Sequence, residues 1–316
     1  MFDYMTAQEA AEKWEVSLRW VQRLCKENRI EGALNINRVW LIPKKALKPA
    51  DGRYKNAEEI ERVDFMNKIY WDKDIIAMLT NQIDAVPHKH WAIQLFLSLE
   101  KDLEILVSED VVKCKCVIVN ENVNHSFRTG NQVCFSIIIV PTSNTAEQLK
   151  KLLNGSEYFI IQMPDISEIQ SIAFKLKKND DLELYYNLID RLYFRLGLNN
   201  QNIEYDDRIV ELLKYIEQCD CYSHSISTFA DKVCLSQSRL SHLFREQVGM
   251  PLKSYIQFHQ MQKAFLALLN GKSITEAAMI AHFDTPSHFA AVTKRMMGMP
   301  ASVSLKNSVF LKVSNI

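Results

Sequence analysis

One helical pattern occurs twice between Ser227 and Gly298, on either side of a single long helical stretch, and it constrains the fold more than any other feature. The first copy runs Ser227 to Val233, turns at Cys234-Leu235-Ser236, and continues as Gln237 to Glu246. Ser236 is a good N-cap for the second helix, and Leu240, Leu243 and Phe244 share its inward face. Gln237, Ser238, Arg239 and His242 are left pointing outward near its start. Gly249-Met250-Pro251 closes that unit, and a helix from Leu252 to Leu269 follows, ending at Asn270-Gly271. In the second copy Ser273 caps Ile274 to Ala281, and His282-Phe283-Asp284 turns. Thr285 then caps a helix with Pro286 at its tolerated first position, and Gly298 ends it. Each copy is a helix-turn-helix. The N-terminal part of the second helix of such a unit reaches base edges in a major groove, where Gln and Arg suit adenine and guanine.

The whole series is Ala230, Ser236, Leu240, Leu243-Phe244, Gly249, Tyr255, Ala264, Ile274, Ala277-Ala278, Phe283, Ser287, Phe289, Lys294-Arg295 and Gly298. It resembles the DNA-binding domain of AraC/XylS-type transcription regulators over about 100 residues. The resemblance implies that both recognition helices enter successive major grooves. It assigns DNA contact to Gln237, Ser238, Arg239 and His242, and to Thr285, Ser287, His288 and Lys294. The chain departs from the pattern at Gln260, where the family usually has Arg, and at His282, where it usually has Gly.

A third helix-turn-helix is expected in residues 5–48. Thr6 and Glu9 stand at capping-box spacing before one helix, and Ser17 can cap a second from Leu18 to Glu27. Ile30–Leu34 and Val39–Ile42 read as two short strands with a turn over 35–38. With Val16-Ser17, Arg29-Ile30, Gly32-Ala33 and Trp40-Leu41-Ile42-Pro43, the segment resembles the winged helix-turn-helix of MerR-like and excisionase-type proteins. On that reading Arg19, Trp20, Gln22 and Arg23 face outward, and Arg38 at the wing turn meets phosphate or minor groove.

Between these ends, residues 74–141 read mostly as strands, including a buried run from Gln132 to Val140 stopped by Pro141. Short strands broken by polar turns suggest a small barrel or sandwich. His88 and His90 lie one residue apart, Gln94 follows His90 by four, and His125 comes later. This resembles the cupin-type sensory barrel found ahead of many AraC-type domains, with Gln94 where a metal-binding cupin has a carboxylate. His88, His90, Gln94 and His125 are expected to contact a small-molecule effector, without an assigned metal or cofactor. Cys114 and Cys116 are expected on one strand face, as neutral buried thiols. Trp91, Phe96, Cys116 and Phe135 are pocket or core residues. In the helix over 181–198, Leu182, Tyr185, Leu188, Ile189 and Leu192 share one face, and the further aromatics suit either core or a dimer interface.

Charge follows this division. The net charge is zero, but residues 1–55 carry +4, 56–205 carry −7 and 206–316 carry +3, so two mildly basic ends flank an acidic middle. Those boundaries give the expected domains: 1–55 winged, 56–205 sensor and dimerisation, 206–316 double helix-turn-helix, a multidomain α+β chain. Seven cysteines, an odd number without a Cys-x-x-Cys pair, favour reduced thiols and a cytoplasmic location. No membrane span or secretory signal is visible. The expected function is sequence-specific control of transcription by a homodimer on double-stranded DNA, with a small-molecule effector and contact with RNA polymerase. A DNA-architectural or recombination accessory factor is the alternative, and a cupin metalloenzyme ranks below both; no enzymatic activity is expected.

Overall fold

The computed structural model describes residues 4–14, 16–27, 29–30, 32–36, 39–48, 66–162, 166–199, 204–218, 225–304 and 308–312. Two compact units result, residues 1–63 and 64–316.

The first unit comprises β1 (Tyr4–Thr6), α1 (Ala7–Trp14), α2 (Leu18–Lys26), β2 (Leu34–Ile36) and β3 (Val39–Pro43). The expected capping box closes: Glu9 N donates to Thr6 Oγ1 and Thr6 N to the Glu9 carboxylate. Ser17 Oγ accepts from Trp20 N at the start of α2. Ala10 and Ala11 let α1 sit close, and Trp14, Val21, Leu24, Ile30 and Ile42 fill the core beneath. Three expectations change. A third strand, β1, pairs antiparallel with β3 and makes it the middle strand. The first wing strand begins only at Leu34, because Ile30 is used as a core plug after α2. Trp20 packs half-buried against that core instead of standing free. Arg38, residues 49–65, Cys219 and Cys221 lie outside the described residues.

The second unit opens with β4 (Asn67–Trp71), β5 (Ile75–Thr80), β6 (Asp84–His88), β7 (Ile93–Ser98), β8 (Leu103–Val107), β9 (Asp110–Cys114), β10 (Cys116–Val119), β11 (His125–Arg128) and β12 (Cys134–Ile139). Then come α3 (Asn144–Leu153), β13 (Tyr158–Ile160), α4 (Ile166–Lys178) and α5 (Leu182–Arg195). The helical region follows: α6 (Asp207–Gln218), α7 (Ile226–Lys232), α8 (Gln237–Val248), α9 (Leu252–Leu269), α10 (Ile274–Ile280), α11 (Pro286–Met297) and α12 (Ala301–Ser304). The described chain closes on β14 (Val309–Lys312). A seven-stranded sheet has the order β13-β10-β7-β12-β5-β4-β14, and a four-stranded sheet the order β6-β11-β8-β9.

The unbroken apolar run of β12 is explained by burial on both faces. Phe135, Ile137 and Ile139 join Ile93, Leu95 and Leu97 of β7 under α3, α4 and α5. On the opposite face Cys134 and Phe96 meet Ile105, Val107 and Phe127 of the smaller sheet. Ile138 on that same face packs with Trp71 and Ile76 against Phe258, Phe265 and Phe289 of the helical region. One sheet face therefore serves both the interior of the sandwich and the seat of the second helix-turn-helix. The last strand, β14, pairs parallel with β4 and returns the chain to that sheet, which the sequence pattern did not foretell.

Cys114 and Cys116 do not share a strand face. The chain leaves β9 and enters β10 of the other sheet at Lys115, sending the two thiols into separate clusters. Both are buried and free, and burial raises both thiol pKa values, that of Cys114 to about 11. On α5, Tyr185, Leu188, Ile189 and Leu192 are buried as their spacing required, while Tyr186 and Phe194 are exposed.

Both helix-turn-helix turns place a non-glycine residue in the left-handed region, Cys234 at φ 53° and His282 at φ 59°. Such a conformation costs an L-residue about 1–2 kcal/mol. The two departures from the family pattern meet here: Gln260 Nε2 donates to the His282 carbonyl at 3.1 Å, holding the turn from the long helix. Replacing His282 by Gly should therefore raise the urea midpoint by an amount equivalent to about 1 kcal/mol. A lowered midpoint would show that contacts of the imidazole outweigh the backbone strain.

Candidate functional site

A cavity of about 50 Å³ opens between the sandwich and the end of α11. Its polar wall is His88 at the end of β6, His90, Gln94 on β7 and His125 on β11. Its other wall includes Met78 from β5 and Met296, Met297 and Met299 from the second helix-turn-helix. The four expected effector residues thus come together, and all are buried.

The imidazoles are held in one tautomer by the backbone. His88 Nδ1 lies 2.9 Å from the Val86 carbonyl, His90 Nδ1 2.9 Å from that of Ala92, and His125 Nδ1 3.0 Å from that of Val123. A carbonyl only accepts, so each Nδ1 carries the proton and each Nε2 of a neutral ring is a lone pair. Burial disfavours the imidazolium, lowering the pKa of His90 to about 4 and of His125 to about 3, with neighbouring histidines adding to the shift. His88 is lowered too, by burial against the pull of the Val86 and His125 carbonyls. Gln94 stands between the rings, its amide oxygen 3.2 Å from both His90 Nε2 and His125 Nε2, while its nitrogen donates to Ser136 Oγ at 2.9 Å.

The cupin-like spacing implies a metal, and the donor set fits one: three neutral imidazoles whose candidate ligand atoms lie within 4.8 Å of one another. Backbone carbonyls on the far ring nitrogens are the usual outer support of histidine ligands. Gln94 supplies an uncharged oxygen where a carboxylate would bind more strongly.

The roof was not legible in the sequence. Gly298 caps α11 at φ 67°, and its carbonyl accepts from Val86 N at 3.1 Å. A Cβ at Gly298 would fall 2.5 Å from the Val86 oxygen and 2.6 Å from His88 Nδ1. The second recognition helix is therefore docked by its C-terminal cap onto the strand bearing His88. The first recognition helix ends comparably: Gly249 caps α8 at φ 81°, beside Lys150 of α3 and Glu121. Lys150 Nζ bridges the Glu121 carboxylate at 3.3 Å and the Val248 carbonyl at 3.4 Å.

Docking by the C-terminal ends leaves the N-terminal turns outward. Gln237, Ser238, Arg239 and His242 are exposed on α8. Thr285, Ser287, His288 and Lys294 are exposed at or along α11. Ser236 and Thr285 cap these helices as expected, and Ser273 with Glu276 forms a capping box on α10. His288 Nδ1 faces the Asp284 carboxylate at 3.3 Å, which holds the ring near Phe283. In the first unit Arg19, Gln22 and Arg23 are exposed on α2, and Arg23 lies 3.9 Å from Glu27.

Gly298→Ala should lower thermal stability more than Gly249→Ala. Both glycines have positive φ, so both substitutions carry about 1–2 kcal/mol of backbone strain. Only at Gly298 does the new methyl meet backbone and a buried ring; at Gly249 it meets the flexible end of Lys150 at 3.1 Å. Equal losses in paired melts would show that the cap contact contributes nothing.

Family profiles described as helix-turn-helix domains match residues 229–307 and residues 4–48. The arabinose operon regulatory protein of Salmonella typhimurium is 32% identical over 124 residues, 38% of this chain and 44% of that protein. Its Escherichia coli counterpart is 32% identical over 124 residues, 42% of its own length. The chain thus spans less than half the length of these two relatives. The probable transcriptional regulator LumQ of Photobacterium leiognathi is 25% identical over 224 residues, 67% of this chain and 88% of that protein. Among solved structures, ToxT of Vibrio cholerae O395 matches with a TM-score of 0.48 and 11% identity, over 74% of this chain and 97% of that one. With its doubled and capped motif between Ile226 and Gly298, the C-terminal part of the chain is a helix-turn-helix region similar to that of the arabinose operon regulators, and residues 4–48 match a further helix-turn-helix domain.

Proposed function

We propose that this chain is a DNA-binding transcription regulator whose grip on double-stranded DNA is set by an effector in the histidine-lined cavity. The carrying observation is that one cavity is walled by sensor strands and by the last turn of the second recognition helix. An effector that prefers one position of that helix shifts the population of DNA-competent molecules by its difference in affinity for the two positions. Similarity to the arabinose operon regulatory proteins and to the probable transcriptional regulator LumQ supports the regulatory role.

In this reading Gln237, Arg239 and His242 read bases from α8, with Ser238 beside them. Thr285, Ser287, His288 and Lys294 serve the adjacent groove from α11, and Arg19, Gln22, Arg23 and Arg38 give the first unit a third contact. The exposed aromatics Tyr186 and Phe194 on α5, with Phe174 on α4, supply a face for a homodimer. Contact with RNA polymerase is the remaining partner, and the cavity binds without catalysing. Among the described residues no helix is long and apolar enough to cross a membrane.

Genome-wide DNA enrichment of the full chain beside a version lacking residues 1–63 tests this. Discrete promoter peaks retained in the truncation support the reading, with the first unit as a tuner. Peaks lost from a folded truncation make that unit a required reader. Scattered sites without promoter preference favour the architectural alternative. On a peak sequence, Arg239→Ala should weaken specific binding by about 1–3 kcal/mol if the guanidinium reads a base. Equal weakening on all sequences makes Arg239 a phosphate contact, and no change removes it from the interface.

A further inference from the structure

We propose that the connection between β6 and β7, residues 89–92, ties the histidine cavity to both recognition helices, with Trp91 and Lys150 as the positioning residues for the first. This deepens the regulator reading and rests on it for the meaning of the coupling, though not for the contacts themselves.

Neighbouring residues of this segment are committed to different parts of the molecule. Just before it, Val86 N donates to the Gly298 carbonyl at 3.1 Å, so β6 holds the end of α11. The His90 ring lines the cavity. Trp91, half-buried, packs on the core of the first helix-turn-helix, which contains Leu240, Leu243 and Phe244 of α8. Ala92 is buried in the cluster of the second, with Phe265 and Phe289. Three consecutive residues thus face the cavity, the first motif and the second. Each peptide unit between them is planar and rigid, so the His90 backbone cannot shift without moving Trp91.

The backbone of His90 makes a second link to the first motif. Its carbonyl accepts from Asn122 N at 2.6 Å, in a turn where Asn122 adopts the left-handed conformation at φ 57°. Next to Asn122, the Glu121 carboxylate pairs with Lys150 Nζ at 3.3 Å. An ammonium carries three donors, and Lys150 meets three acceptors: Glu121, Glu147 at 3.0 Å, and the Val248 carbonyl at 3.4 Å. Val248 ends α8, so the cation faces the negative pole of that helix. Only 20% of the lysine side chain is exposed, which keeps its charge from being fully screened. Lys150 therefore fixes the end of the first recognition helix to a turn that hangs on the His90 carbonyl.

A rival route exists through α9, which has Tyr255 and Ile256 in the first cluster and Phe258 and Met261 in the second. The two routes are interrupted by different substitutions. Trimming Trp91 or Lys150 breaks the route through the connection and leaves α9 intact.

The test follows amide hydrogen exchange in the full chain without DNA or effector. Gly298→Ala perturbs the second motif, because its methyl group falls against Val86 and His88, and residues 237–249 of the first are the readout. That substitution should speed exchange over 237–249 by about fivefold or more. With Trp91→Ala or Lys150→Met already present it should add less than about twofold, whereas Lys150→Arg, which keeps the charge, should preserve the full response. Tyr205→Phe removes the hydroxyl that reaches the Thr142 carbonyl but leaves the connection untouched, and should also preserve it. Residues 166–178 of α4 gauge global opening and should keep their rate. Exchange over 237–249 that ignores Gly298→Ala, or that rises only in step with 166–178, overturns the proposal. An undiminished response in the Trp91→Ala and Lys150→Met chains overturns it too, and assigns the coupling to α9. If Trp91→Ala fails to fold, Lys150→Met against Lys150→Arg still decides. Linked exchange in a chain that binds no promoter refutes the regulator reading alone, and promoter binding with unlinked exchange refutes this inference alone.

Discussion

The contact between the Gly298 cap and β6 is the constraint on which the arrangement of the second unit turns. It joins the end of a recognition helix to the backbone next to His88, with one hydrogen bond and no room for a methyl group. Around it the larger sheet extends from the sandwich interior to the seat of α9 and α11, so Ile138 and Met78 border the histidine cavity and also the apolar seam beneath α9. The sandwich and the second motif are parts of one packed body because they share a sheet face.

The two motifs are held differently. The second is tied by α9 packing, by the Gly298 cap and by the return of β14 to the sheet edge. The first has its own core, from Ile209 of α6 to Tyr255 of α9, and meets the sandwich through Trp91, Lys150 and the Tyr205 hydroxyl that reaches the Thr142 carbonyl. The asymmetry leaves the second helix-turn-helix the more constrained of the two by the sandwich.

The helical end was legible almost residue by residue. Capping side chains, terminal glycines and the apolar stripe are local signals, and Ser236, Gly249, Ser273, Thr285 and Gly298 all stand where they predicted. The histidine cluster was legible only through the resemblance to the cupin pattern, since His125 lies far along the chain from His88 and His90. What stayed hidden was tertiary. Met296, Met297 and Met299 look like the end of a surface helix until β6 is placed beneath them, and Val309–Lys312 resembles a tail until β4 offers an edge. Helix α4 escaped notice, and Cys114 and Cys116 looked like neighbours on one strand because nothing in their local pattern marks the change of sheet at Lys115.

Energetics favour a movable roof over a fixed one. A backbone hydrogen bond contributes about 0.5–1.5 kcal/mol net, and a buried Met side chain roughly 1.5–3 kcal/mol. A few such contacts hold the helix end closed without making release prohibitive. Reversing a two-state population from 1:99 to 99:1 takes about 5.5 kcal/mol of differential affinity. The contacts at the helix end are of that same order, so losing them and reversing the population are commensurate.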